Sequence, residues 1–164
     1  MITGVYLGGR RIVIIKENGV KAWGISSSQY VQSAVKNVES YLETIGQKLP
    51  GKADTPIQTS YRPELDVTEE LGPKDGSYYQ SLVGILRWMV ELGRMDICLE
   101  VSMMSSHLAL PREGHMKQIL HMFAYLKKHH NAEVILDPCD PVIDENEFES
   151  RDWASSEFGH VHGK

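Results

Sequence analysis

Metal binding, nucleophilic attack, proton transfer and phosphate contact each need particular side chains at particular spacings. The chain offers material for all four. It has seven histidines. His107, His115 and His121 fall around one apolar stretch, with His115 and His121 six positions apart. Two ligands on one helical face need a spacing of three or four, as in His-Glu-x-x-His. A six-residue step sets them on different faces and argues against zinc. His115 suits a helix start, and His121 a partly exposed position. His129-His130 and His160-x-His162 read as exposed basic or tail residues. Ser102, Ser105, Ser106 and His107 contain a hydroxyl and a base, but no Gly-x-Ser-x-Gly elbow accompanies them, and a Ser-rich helix end accounts for them. Glu64 with Asp66, and Glu69 with Glu70, are carboxylate pairs on what reads as solvated chain. Neither a P-loop nor a dinucleotide fingerprint is present. What remains is basic. Arg10, Arg11, Lys16 and Lys21 lie close in sequence to Tyr6 and Trp23, a composition that can track a phosphate backbone. These four are the candidate nucleic-acid-binding residues, with Arg87, Arg94 and Arg112 behind them. Arg94 abuts a turn and is expected to cap it or to pair with a nearby carboxylate. No catalytic, metal or cofactor set is assigned.

The elements that would position these residues follow from periodicity. Residues 11–16 are a β-branched run, Asn18-Gly19 a turn signal, and residues 20–25 a second strand, which together predict a β-hairpin. Tyr6-Leu7-Gly8-Gly9 is a short strand or the lead into it. Ser26-x-x-Gln29 has the form of a capping box. It opens a helix with Val31, Ala34, Val35, Val38, Leu42 and Ile45 on one face, Lys36, Glu39 and Glu43 on the other, and Gly46 as its stop. Residues 47–76 hold no period and are rich in Gly, Pro and polar types. They predict a linker or extended crossover wrapped over a surface, and they mark the best boundary between two lobes. Residues 78–126 are the densest apolar material. Leu82, Val83, Ile85, Leu86, Met89 and Val90 recur at helical spacing, as do Met116, Ile119, Leu120, Phe123 and Leu126. The break at 93–96 ends the first helix, and Asp96 is placed to cap the next. Pro111 suits the first position of a third. Residues 133–137 read as one more strand.

The totals exclude several classes. A length of 164 residues, 41% of them hydrophobic, suits one domain or a piece of one. Cys98 and Cys139 form no Cys-x-x-Cys pair and no disulfide framework, which points to an intracellular, reducing setting. No apolar run is long enough to span a membrane. The net charge of −5 comes entirely from residues 138–164, with two basic and seven acidic residues, since 1–137 carries 15 of each sign. A neutral body with an acidic tail is not the footprint of a dedicated nucleic-acid binder, although a basic face can sit on a neutral body.

An ordered set of short motifs adds to this. Tyr79-x-Ser81-Leu82-Val83-Gly84-x-Leu86 is followed by Arg94-x-Asp96-Ile97, Val101-Ser102 and Ser105, Pro111, His115, and Tyr125-Leu126-Lys127. In that order and spacing the set resembles the segment after the reverse-transcriptase palm in Ty/copia-type retrotransposon polyproteins. The likeness is good over 78–127 and looser over 5–137, where Tyr6-Leu7-Gly8, the hairpin, the Ser/Gln-rich helix start and Thr55-Pro56 follow the same plan. Met95 stands where the family commonly has Pro, and the Gly-Thr that often ends the last helix is missing. Both departures point to a divergent or decaying branch.

The resemblance implies a reverse-transcriptase fragment of the α+β class, mostly helical with an N-terminal β-hairpin. It divides into hairpin and thumb-like helix (1–49), linker (50–76), three-helix connecting segment plus strand (77–137) and acidic tail (138–164). The fragment would grip template–primer and link polymerase to ribonuclease H, whose domains would be its partners in the cytoplasm or a virus-like particle. The Asp-Asp turn of the polymerase centre is absent and in that family would precede Met1. Asp152-Trp153-Ala154 bears a passing likeness to a ribonuclease H motif, but a polar loop accounts for it. The expected chain is therefore no enzyme and needs no cofactor. The alternative is a small domesticated protein-interaction module with no nucleic-acid role. A slice of a polymerase should also leave apolar surface exposed on the outer side of the hairpin or on the helix at 26–46.

Overall fold

The computed structural model describes residues 5–6, 9–16 and 19–139. Four antiparallel strands, β1 (Val5–Tyr6), β2 (Gly9–Ile15), β3 (Lys21–Ser26) and β4 (Glu133–Leu136), form one sheet in the order β1-β2-β3-β4. Four helices carry the rest: α1 (Ser28–Thr44), α2 (Pro73–Glu91), α3 (Cys98–Ser105) and α4 (Glu113–Lys128). The fold is α+β and mostly helical, with the expected hairpin at its start. Register in β2–β3 runs from Arg10 opposite Ser26 to Ile15 opposite Lys21. Gly19 closes the hairpin at a φ of 78°, a value L side chains rarely adopt. β4 comes from the far end of the described chain and pairs with β3, placing Trp23 opposite Leu136.

One helical core holds the molecule together. Val31, Val35, Val38 and Leu42 of α1 meet Tyr79, Leu82, Leu86 and Met89 of α2, Val101 and Met104 of α3, and Ile119, Met122, Phe123 and Leu126 of α4. Leu86 and Phe123, each mid-stripe on its helix, are both fully buried. The Tyr79 hydroxyl donates to the Met104 carbonyl at 2.7 Å, so the large ring enters the core without an orphaned oxygen. Since α1 shares this core, the crossover at 45–72 joins elements of one packed body.

Local details differ from the sequence expectations. The Ser26-x-x-Gln29 box does not form. Ser27 is the N-cap of α1 and makes no side-chain cap bond, because β3 runs through Ser26 and holds that residue in the sheet. Ile45 lies past the last turn and is 48% exposed, so it does not join the buried face. α2 begins at Pro73, earlier than apolar spacing shows, since Pro is favoured in a first turn whatever its polarity. Pro111 precedes the N-cap of α4, Arg112, and is not in the helix. Asp96 does not cap α3. It lies in a 3-10 turn, Met95–Ile97, where its carboxylate takes both Nε (2.8 Å) and Nη2 (2.6 Å) of Arg94. The 138–164 segment reads as an acidic tail, with Asp152-Trp153-Ala154 inside it, and from residue 140 on it lies outside the described residues.

Candidate nucleic-acid interface

Strand alternation sorts the four candidate basic residues before any contact is considered, because successive side chains in a strand point to opposite faces. Arg11, Val13 and Ile15 of β2 share a face with Lys21, Trp23 and Ile25 of β3 and with Val134 and Leu136 of β4. Arg10 falls on the other face, beside Ile12 and Ile14. The Arg11 guanidinium lies 4.9 Å from the centre of the Trp23 ring, a cation–π contact that holds both side chains up from the sheet. Lys16 follows β2 and is engaged by Asp137, whose carboxylate accepts from its Nζ. That hydrogen bond raises the Lys16 pKa and lowers that of Asp137. The structure thus brings Arg11, Lys21 and Trp23 onto one exposed face, sets Arg10 behind it and ties Lys16 to the sheet's far edge.

Several exposed large apolar residues share that face of the sheet. Val13, Ile15, Trp23, Ile25 and Leu136 lie on the Arg11 face, each at least 39% exposed. The platform is therefore aromatic and aliphatic with two cations, not a continuous basic strip. Tyr6 and Lys21 belong to neighbouring strands on either side of β2.

The histidines do structural work that their spacing did not reveal. The Arg112 amide donates to His115 Nδ1 at 3.0 Å, which leaves Nε2–H to donate to the Pro63 carbonyl at 3.1 Å. One turn on, Gln118 accepts from the Gln58 amide and donates to its side chain. His121 donates through Nε2 to the Thr55 carbonyl at 3.0 Å. Residues at 115, 118 and 121 thus pin an antiparallel strap formed by the crossover. His121 is buried at 6% exposure, not partly exposed, because the strap covers it. His115 does sit at the helix start, with His107 stacked on it at 4.1 Å. Among the described residues no three His, Cys, Asp or Glu side chains converge as a metal site would need. The Ser105 and Ser106 hydroxyls donate back to the Val101 and Ser102 carbonyls, so neither is presented to a base.

Asp66, read from sequence as a solvated carboxylate beside Glu64, is instead the centre of a hydrogen-bond network. Its carboxylate accepts from the Thr68 amide (2.9 Å), the Thr68 hydroxyl and the Tyr61 hydroxyl. Thr68 in turn accepts from the Gly114 amide, and Arg112 reaches back to the Thr68 carbonyl and Glu70. Burial would raise the Asp66 pKa, but the hydrogen bonds from Thr68 and Tyr61 prevail and carry it down to about 2. The signal that could have pointed to it is Gly114 near the start of α4. A Cβ there would stand 1.8 Å from Asp66 Oδ2, so only glycine admits the carboxylate.

Comparisons with protein families, with curated proteins and with solved structures found no match. No helix among the described residues is long and apolar enough to cross a membrane.

Proposed function

We propose that the chain is a non-catalytic piece of a Ty/copia-type reverse transcriptase, one that grips template–primer and bridges the polymerase palm to ribonuclease H. The observation that carries this reading is that the resemblance motifs coincide with the packing determinants of the connecting helices. Tyr79, Leu82, Val83 and Leu86 fill the core, Arg94 and Asp96 lock the turn, His115 holds the strap, and Leu126 closes α4. A motif set that serves packing is what a connecting segment would carry. The grip would come from Arg11 and Lys21 around Trp23, with Arg10 and Lys16 at the margins. The polymerase reaction requires carboxylates that hold two metal ions, and the sequence has no Asp-Asp pair to serve as that turn.

A labelled RNA–DNA hybrid titrated at two salt concentrations tests this. Contacts with phosphate are independent of sequence and weaken as salt rises, so the expected affinity at physiological salt is about 10⁻⁴–10⁻⁶ M. Removing residues 138–164 should tighten it, because seven acidic residues leave with two basic ones. Primer extension by the pure protein would contradict the non-catalytic assignment. The exposed aliphatic side chains around Trp23 favour one rival, a protein-interaction module. That reading gains if no hybrid binding is seen at low salt even without the tail.

A further inference from the structure

We infer that the acidic segment 140–164 of the same chain is the occupant of the sheet's exposed face, laid across Arg11, Trp23 and Lys21. That face requires two kinds of chemistry at once. Val13, Ile15, Trp23, Ile25 and Leu136 on it are each at least 39% exposed, which calls for apolar groups. Its charged members are Arg11 and Lys21, and no strand residue that shares it is acidic, which calls for anions. Glu133 falls on the opposite face, and Asp137 is already engaged by Lys16. A bare polyanion meets only the second requirement.

Segment 140–164 meets both, and in a regular pattern. It holds seven acidic and two basic residues. Glu147-Phe148, Asp152-Trp153 and Glu157-Phe158 repeat a carboxylate followed by an aromatic ring at every fifth position. On the sheet, Arg11 stands opposite Ile25 and Lys21 opposite Ile15, so the two cations are about 14 Å apart along the strand direction. One such repeat of extended chain spans up to about 17 Å. Two successive carboxylates therefore reach the two cations and leave the rings to cover Trp23 and its aliphatic neighbours. The segment also starts in the right place. Leu136 pairs with Trp23, and the described chain ends just past β4, at Cys139. β2 is two strand spacings from β4, about 10 Å, and the stretch from Cys139 to Glu147 spans up to about 27 Å.

A segment held this way is an internal competitor, and any other partner of the face must displace it. The docking does not depend on whether that partner is nucleic acid. Acrylamide quenching of Trp23 tests it, in the full chain carrying Trp88→Phe and Trp153→Phe. Those changes leave Trp23 as the sole tryptophan and keep a ring at 153. Against this parent stand a repeat variant (Glu147→Gln, Asp152→Asn, Glu157→Gln) and a charge-matched control (Asp140→Asn, Asp144→Asn, Glu145→Gln). Trp23 should be protected in the parent at low salt, whatever the protein concentration. Quenching should rise roughly twofold or more in the repeat variant, as docked chains give way to open ones, and stay near the parent value in the control. Phe148→Ala with Phe158→Ala should also expose Trp23, with the helical circular dichroism of the body unchanged. Equal quenching in parent and repeat variant overturns the inference, as does a control as exposed as the repeat variant. Protection that grows with protein concentration overturns it too, by placing the segment on a second copy.

Discussion

Two residues carry more of the architecture than their chemistry announces. Arg94 is completely buried, with Asp96 as its ionic partner and its Nη1 without a hydrogen bond. The Asp96 carboxylate is partly exposed, and it also accepts from the Tyr125 hydroxyl. Burial raises the Asp96 pKa, but the Arg94 hydrogen bond and charge bring it down overall. Asp96→Ala would strand a charge in the core, and the expected loss is ~3–5 kcal/mol in urea unfolding. Gly114 makes the second case. Gly→Ala in a helix normally gains ~1 kcal/mol. At this position the methyl group meets Asp66, and the expected net effect is a loss of ~1–3 kcal/mol, as for overpacking. A stabilised Gly114→Ala protein would contradict the close approach. The Arg94–Asp96 pair was legible because the two are neighbours in sequence. Asp66 was not, because its partners lie on its own turn and on a helix far along the chain, and a carboxylate in a polar stretch looks solvated.

At the scale of elements, periodicity found α1, α2 and α4, whose buried stripes are long enough to show it, while α3 was placed by the break at 93–96 that precedes it. It misjudged the ends, where caps and prolines decide and apolar spacing is silent. It also found the crossover but not its attachment, because a strap held by carbonyls offers no side-chain pattern to read. The strap carries a pH dependence. The Asp66 pKa is lowered on folding, so the proton binds more readily to the unfolded chain. The stabilisation is present above the ordinary aspartate range, about 3.9, and is lost as pH falls toward about 2. Exchange of the Thr68 and Gly114 amides, followed from pH 5 downward, should accelerate through that window after correction for intrinsic rates. The helix stripes give a further expectation. Leu86→Ala or Phe123→Ala should each cost ~2–5 kcal/mol, read from denaturant midpoints at unchanged slope.

The whole molecule combines a tightly filled helical body with a sheet that contributes little to that body's core. Among the described residues no side chain of β2, β3 or β4 belongs to the central cluster, and the sheet's exposed face collects Val13, Ile15, Trp23 and Leu136 around Arg11 and Lys21. Exposed apolar surface was expected on the hairpin, and it lies there. The even spread of basic residues along the hairpin was harder to read, because alternation and the Lys16–Asp137 pair divide four cations that look like one cluster in sequence. The most direct measurement is hybrid binding by wild type against the double variant Arg11→Glu, Lys21→Glu, by fluorescence anisotropy across a salt series. If this face grips template–primer, the double variant loses binding at low salt, and the wild-type plot of log affinity against log salt has the steeper negative slope. Equal affinities and equal slopes would contradict it and leave the sheet as a surface for protein alone.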